Sequence, residues 1–228
     1  MPTYLVIGAS RGIGGATAAH LAAQGADIVS VSRSPSSVGR WIEADVGSVE
    51  GVRKVIDTVA DQRLDALLFL GGVWERGAFT EEYSFLDSPV DETLEVVTVN
   101  LIAPILLAQA LVGNLARSEN ARIVLMGSMS GVPNTATREV ANTAAKFGLQ
   151  GVGESLNLSL RGHGIATTVI NPDNVATPEV EGDIADGLFE DQVPIPLGDL
   201  TRTIDYVLGL GAHGVPSSVS LRQTRPEA

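Results

Sequence analysis

The feature that most restricts what this chain can fold into is an alternation. Short, unbroken apolar runs recur along it, and a longer stretch separates each from the next. Tyr4–Ile7, Asp27–Val31, Ala66–Leu70, Ile123–Met126 and Ile165–Ile170 are such runs, with a shorter one at Trp41–Ala44. Continuous apolar strands belong to a parallel sheet covered on both faces, whereas a sheet with one wet face would alternate polar and apolar residues. The intervening stretches Ile13–Gln24, Val49–Ala60, Asp91–Arg117 and Glu139–Arg161 read as helices. In the second of these, Val49, Val52, Val55, Ile56 and Val59 fall close to helical spacing. Leu200–Leu210 and Ser217–Leu221 predict a last helix and a closing strand, with a frayed tail after Arg222. The pattern predicts right-handed βαβ units wound into one α/β domain over residues 1–228, with a ligand where the strand order reverses.

Composition narrows the ligand. The chain has no cysteine, which removes thiolate metal sites, and its three histidines (His20, His163, His213) are scattered, so no metal is expected. The net charge of -12 carries no compensating basic stripe, which argues against nucleic acid. The apolar stretch Val96–Val112 is broken by Asn100, Pro104 and Gln109, so a buried helix suits it better than a membrane span. The start, MPTYLVIGAS, lacks the basic residues and long apolar core of a signal peptide, and a soluble cytoplasmic protein is the expectation.

The first apolar run ends in Gly8-Ala9-Ser10-Arg11-Gly12-Ile13-Gly14 and then enters an alanine-rich helix. Glycines there permit a tight turn and leave backbone N–H groups at the helix start free to meet a pyrophosphate. The spacing G-x-x-x-G-x-G resembles that of the short-chain dehydrogenases/reductases, and further matches follow in family order along nearly the whole chain. Asp45-Val46 resembles the pair that contacts adenine, and Leu70-Gly71-Gly72-Val73 resembles the Asn-Ala-Gly segment after the fourth strand. Asn100 matches the asparagine that holds a relay water, Ser128 the catalytic serine, and Lys146 the active-site lysine that also bonds the nicotinamide ribose. Asn171-Pro172 with Val175 and Thr177 resembles the segment lying along the nicotinamide. The resemblance implies a Rossmann-like doubly wound parallel sheet flanked by helices, and a nicotinamide dinucleotide as cofactor.

Which dinucleotide is read from the end of the second strand. NAD binders usually place a carboxylate there for the ribose 2′-hydroxyl. Here the strand ends Val31-Ser32-Arg33-Ser34. Arg33 could pair with a 2′-phosphate through its planar fork, helped by Arg11 and Ser34, so NADP(H) is expected.

One match fails. The family's general acid is a tyrosine four residues before the lysine, and this chain has Asn142 there; its only tyrosines are Tyr4, Tyr83 and Tyr206. An amide can donate a hydrogen bond to a developing oxyanion but cannot release a proton at ordinary pH. General acid catalysis is typically worth a factor of about 100 to 10,000. A second departure is Asp173, which stands where a glycine normally follows the proline. Three readings stay open. An imine or iminium substrate needs no proton on oxygen, and Asp173 and Asn142 would orient it. A carbonyl could still be reduced with a proton from Asp173, from water held by Ser128 and Lys146, or from Tyr83. Redox activity could instead be lost, leaving a nucleotide-binding scaffold or a non-redox enzyme such as an isomerase or cyclase; Asn142 could also be an introduced, disabling residue.

The irregular stretches 74–92 and 172–197 should lie over the crevice and contact a small-molecule substrate. Trp74, Phe79, Tyr83, Phe85, Met129, Val132 and Phe189 are the apolar candidates. In the resembling family the two apolar helices at 91–117 and 139–161 form the dimer interface. Their small residues, Ala144, Ala145, Gly148, Gly151 and Gly153, would admit a partner, so a homodimer or homotetramer is expected.

Overall fold

The computed structural model describes residues 1–189 and 192–224. Seven strands form one parallel sheet: β1 (Thr3–Ile7), β2 (Asp27–Ser32), β3 (Arg40–Glu43), β4 (Ala66–Phe69), β5 (Ala121–Met126), β6 (Ile165–Pro172) and β7 (Ser218–Leu221). Their order is β3-β2-β1-β4-β5-β6-β7, so the winding reverses between β1 and β4. Helices cover both faces, as continuous apolar strands require: α1 (Gly12–Ala23) and α8 (Leu197–Gly209) on one, α2 (Val49–Val59) and α6 (Val140–Ser159) on the other.

Successive side chains of a strand point to opposite faces, and the core divides accordingly. Leu5 and Ile7 of β1 pack with Leu67, Phe69, Ile123 and Leu125 against Val52 and Val55 of α2. Val6 faces the other way, with Leu68, Val124 and Ile170, against Leu21 of α1 and Ile204 of α8. Every one of these side chains is almost fully excluded from solvent.

The predicted helix Asp91–Arg117 is a series of pieces. It runs as α3 (Val90–Val97), a π turn (Thr98–Ile102), α4 (Ala103–Ala110) and the single turn α5 (Val112–Leu115). Pro104 explains the break: it has no N–H for the carbonyl of residue 100, and its ring crowds that carbonyl. The ladder widens by one residue, and Ala103 N–H bonds the Thr98 carbonyl. By length and composition Val90–Ala110 could cross a membrane, and about two-fifths of its most apolar window is buried inside the fold.

The stretch 172–197 also holds more order than its four prolines suggest. Helix α7 (Pro178–Ala185) begins there, with the Thr177 hydroxyl accepting from Val180 N–H, proline in the first turn, and Glu179 and Glu181 at its positive end. The closing strand begins at Ser218, and the helix before it starts at Leu197, a turn earlier than Leu200. Of the tail expected to fray, only Gln223 and Thr224 fall within the described residues, and Gln223 is held by hydrogen bonds to Asp173, Gln192 and Val193.

Candidate active site

The carboxyl ends of β1, β4, β5 and β6 open onto one cavity of about 830 Å³ at the point where the sheet reverses. It has two ends, built by different means.

The first end is made mainly of backbone. Gly8 turns the chain out of β1 with φ +86°, and a Cβ there would lie 2.5 Å from Gly71 Cα at the end of β4. Gly14 seats the first turn of α1 on that same loop; a Cβ there would lie 2.2 Å from the Gly8 carbonyl oxygen. Gly8 N–H, in turn, bonds Val31 O of β2. Arg11, at the cap of α1, is extended and its side chain makes no capping bond. The N–H groups of Gly12, Ile13 and Gly14 precede the first intrahelical bond, from Gly15 N–H to Arg11 O, and all three residues line the cavity. This is an anion cradle that a side chain would fill. Ser10, Arg33, Ser34, Asp45, Val46, Gly71, Gly72, Pro172, Val175 and Thr177 surround the same cavity. Arg33 and Ser34 are exposed at its rim. Arg11 is paired 2.6 Å from Glu179 Oε1 on α7, and both line the cavity with their side chains largely exposed.

The second end is made of side chains. Lys146 of α6 is almost fully buried, and its Nζ donates to the Met126 carbonyl at the end of β5, 2.9 Å away. Burial away from any carboxylate pushes its pKa down to about 8. Ser128 follows β5 and also faces the cavity. Its Oγ accepts from Ser130 N–H (3.1 Å) and Ser130 O–H (3.0 Å), which leaves its own O–H as a donor toward the cavity.

Asn142 and Asn100 are differently placed from what their motif positions imply. Neither lines the cavity: both lie behind its wall, Asn142 with 0% of its surface exposed. Asn100 sits on the π turn, where its Oδ1 accepts from Val73 N–H and its Nδ2 donates to Val73 O, tying that helix to the strand-end segment after β4. Asn100 Nδ2 also donates to Asn142 Oδ1 at 3.2 Å, and Asn142 Nδ2 reaches Ser130 Oγ at 3.5 Å. The bonds form one directed chain, Asn100 to Asn142 to Ser130 to Ser128, and each donor-acceptor sense fixes the next. Asn142 therefore acts on the cavity through Ser130. Asp173 does line the cavity, but its carboxylate accepts from Gln223 N–H at 3.0 Å and holds the C-terminal segment in place.

Of the apolar candidates, Trp74, Phe79, Met129 and Phe189 line the cavity. Tyr83, Phe85 and Val132 do not: Tyr83 is buried with its hydroxyl accepting from Val140 N–H, which caps α6, and Phe85 is exposed outside. Tyr83 thus spends its oxygen on a helix end, away from any reacting group.

Sequence reasoning passed over Glu75. It lies 4% exposed in the cavity wall and accepts from the first N–H groups of α6. Glutamate in a glycine-rich loop gives no spacing signal, because its partners are 66 and 67 residues away.

A doubly wound sheet with a glycine turn at its reversal point, beside a buried lysine and a serine at the next strand end, defines a Rossmann-like α/β protein. A profile of the short chain dehydrogenase family matches residues 2–186, and the chain belongs to that family of oxidoreductases. It is 29% identical over 183 residues to short-chain dehydrogenase/reductase olcF of Penicillium canescens, covering 76% of this chain and 69% of that one. To the 3-oxoacyl-(acyl-carrier-protein) reductase FabG of Pseudomonas aeruginosa it is 29% identical over 222 residues, 91% of this chain and 87% of the relative. Among solved structures, BdcA in complex with NADPH superposes with TM-score 0.80 at 20% identity, covering 98% of this chain and 94% of that one. A 4-hydroxyisoleucine dehydrogenase complexed with NADH superposes with TM-score 0.81 at 19% identity, covering 98% and 97%. At those identities the two structures speak for the fold alone.

Proposed function

We propose that this protein is an NADP(H)-dependent reductase of a small organic carbonyl or imine compound, with Asn142 standing where the family's tyrosine acid would be. The observation that carries the reading is the directed chain ending in Ser128, whose O–H is free to donate into the cavity beside Lys146. A pure binding scaffold has no use for a hydroxyl aimed that way.

The cradle fits a dinucleotide: the α1 N–H groups would meet the pyrophosphate, Asp45 and Val46 the adenine, and Lys146 the nicotinamide ribose. Arg33 would meet a 2′-phosphate at the rim, and the absence of a carboxylate at the end of β2 favours NADP(H) over NAD(H). When bound, the cofactor supplies a hydride. Ser128 holds the acceptor atom of the substrate by its O–H, and Asn142 fixes that hydroxyl's direction through Ser130. Lys146, charged below about pH 8, places a positive charge beside the reacting atoms. No group in the wall occupies the role of a phenolic acid. A carbonyl must gain a proton on oxygen as it takes hydride, whereas an iminium becomes a neutral amine with no proton added.

We further propose a cytoplasmic homodimer or homotetramer. The support is a set of exposed apolar side chains on the two helical segments concerned: Val90, Leu94, Ile102 and Ile105 on one, Val140 and Phe147 on the other. The small residues of α6 support it less, since Gly148 packs against Leu101 and Gly153 against Val169 within the chain.

The test is fluorescence titration with NADPH and NADH, followed by NADPH oxidation with matched ketone and cyclic-imine panels. Preferred NADPH binding and turnover on either panel are expected, with ketones the slower. Asn142→Ala, which breaks the link from Asn100 to Ser130, should lower turnover about tenfold with NADPH affinity unchanged. Tight NADPH binding with no turnover on either panel, in wild type and variant alike, would sink the reductase reading and leave a binding scaffold.

A further inference from the structure

Glu75 carries a charge that its place in the fold does not explain. It follows β4 in the run Val73-Trp74-Glu75-Arg76-Gly77. Its Oε1 accepts from Ala141 N–H at 2.8 Å and Asn142 N–H at 3.0 Å, in the first turn of α6. For that capping duty a neutral amide oxygen would serve. Its Oε2, however, is buried with under 1 Å² of surface and has no hydrogen-bond partner among the described residues. No arginine, lysine or histidine pairs with it among the described residues. A buried carboxylate oxygen without a donor is costly. Two N–H groups at the positive end of a helix meet Oε1, and Oε2 beside it is left as an acceptor for a donor from outside the chain.

The same wall says what kind of donor. Trp74 and Phe79 meet edge to face at 4.8 Å, and Phe79 meets Phe189 at 6.0 Å, all three lining the cavity with Glu75. Aromatic faces beside a buried carboxylate are what a protonated nitrogen binds, through the ring quadrupole and a charge-assisted hydrogen bond. Of the other acids that line the cavity, Asp173 accepts from Gln223 N–H, Asp45 from Gly47 N–H and Glu179 from Arg11, while Asp183 lines it from α7. Lys146 is on the opposite duty, bonded to Met126 O.

We propose that Glu75 anchors the substrate, and that the substrate is a small cation bearing an N–H group, an iminium or a carbonyl compound that carries a protonated amine, seated on Trp74, Phe79 and Phe189. The proposal rests on reading the cavity as a reductase site and names the substrate class for it. Reaching Oε2 takes a shift of the wall, since that oxygen has under 1 Å² of surface, and Trp74, its neighbour in the chain, is 46% exposed.

The test is calorimetry on the full chain with NADP⁺ bound, at pH 7. The probes are 1,2,3,4-tetrahydroisoquinoline, protonated at that pH, and α-tetralone, its neutral counterpart of similar shape. In the wild type the amine should bind about tenfold tighter or more. Glu75→Gln keeps the Oε1 acceptor for α6 and should lose that advantage, with α-tetralone and NADP⁺ affinities unchanged. Equal binding of the two probes by the wild type overturns the proposal without any variant, as does an amine affinity that Glu75→Gln leaves intact. Glu75-dependent amine binding with no oxidation of NADPH by 3,4-dihydroisoquinoline would uphold the anchor and overturn the reductase reading instead.

Discussion

The two ends of the cavity differ in what they are made of. The end formed by Gly8, Gly14 and the start of α1 uses backbone N–H groups and empty space where Cβ atoms would be. The other, formed by Ser128, Ser130, Asn142, Asn100, Lys146 and Glu75, uses side chains drawn from segments as far as 67 residues apart. A backbone cradle tolerates almost any residue except one that intrudes. A side-chain network tolerates almost no change in chemistry, because each member's donor or acceptor sense is set by its neighbour. The contrast explains how one cavity can carry an end built of backbone next to an end built of side chains.

The sharpest way to break that contrast is steric. Gly14→Val should push α1 off the Gly8 carbonyl and weaken NADPH binding by about 100-fold, since a shift near 1 Å in a positioned site costs that much. Fluorescence titration reads it, with circular dichroism to confirm that the sheet survives. Binding within a few-fold of wild type would mean the cradle is not the phosphate site.

Next in size is Lys146, which belongs to the reaction end but touches both. Its depressed pKa predicts that NADPH affinity is flat below about pH 8 and falls as pH rises above it, as the ammonium loses its charge. Lys146→Met should weaken binding about tenfold at pH 7 and abolish the pH step. Folding linkage runs the other way. The buried ammonium disfavours the fold below about pH 8, and stability gains as pH rises from there toward the ordinary lysine value of 10.5. Denaturation at pH 7 and 9.5 separates the two effects, because Lys146→Met should lose the stability gain as well.

The smallest expected effect sits at the rim. Arg33→Ala should cut the preference for NADPH over NADH to about a tenth by removing one charge-assisted contact, with NADH affinity unchanged. An unchanged ratio would transfer the 2′-phosphate to Arg11, whose pairing with Glu179 is exposed and cheap to open.

Legibility followed the same division. The glycine turn was readable because its signal is local: three glycines within seven residues, between a strand and a helix, fix a backbone shape whatever the rest of the chain does. Gly8, Gly12 and Gly14 of that turn line the cavity, as do Arg33, Asp45, Val46, Ser128, Lys146, Asp173 and Thr177. Asn142 and Asn100 were readable as positions in a motif but not as placements, since a sequence does not say which face of a buried helix meets a cavity. Helix α7 announced itself through Thr177, Pro178, Glu179 and Glu181, a capping signal hidden by the prolines around it. The break at Thr98–Ile102 was implicit in Pro104, whose missing N–H must widen the ladder somewhere upstream.

The sequence by itself determined the sheet, its two buried faces, the glycine cradle and the absence of a tyrosine from the helix that carries Lys146. Those follow from period, from the missing Cβ and from residue identity, which are properties of the chain taken a few residues at a time. Tertiary structure alone decided that Asn142 lies behind the wall, that Tyr83 caps a helix, that Asp173 is tied to the C-terminal segment and that Glu75 stands in the cavity wall with one buried oxygen unpaired among the described residues. Each of these depends on which distant donor reaches which acceptor first, and only the packed fold fixes those distances.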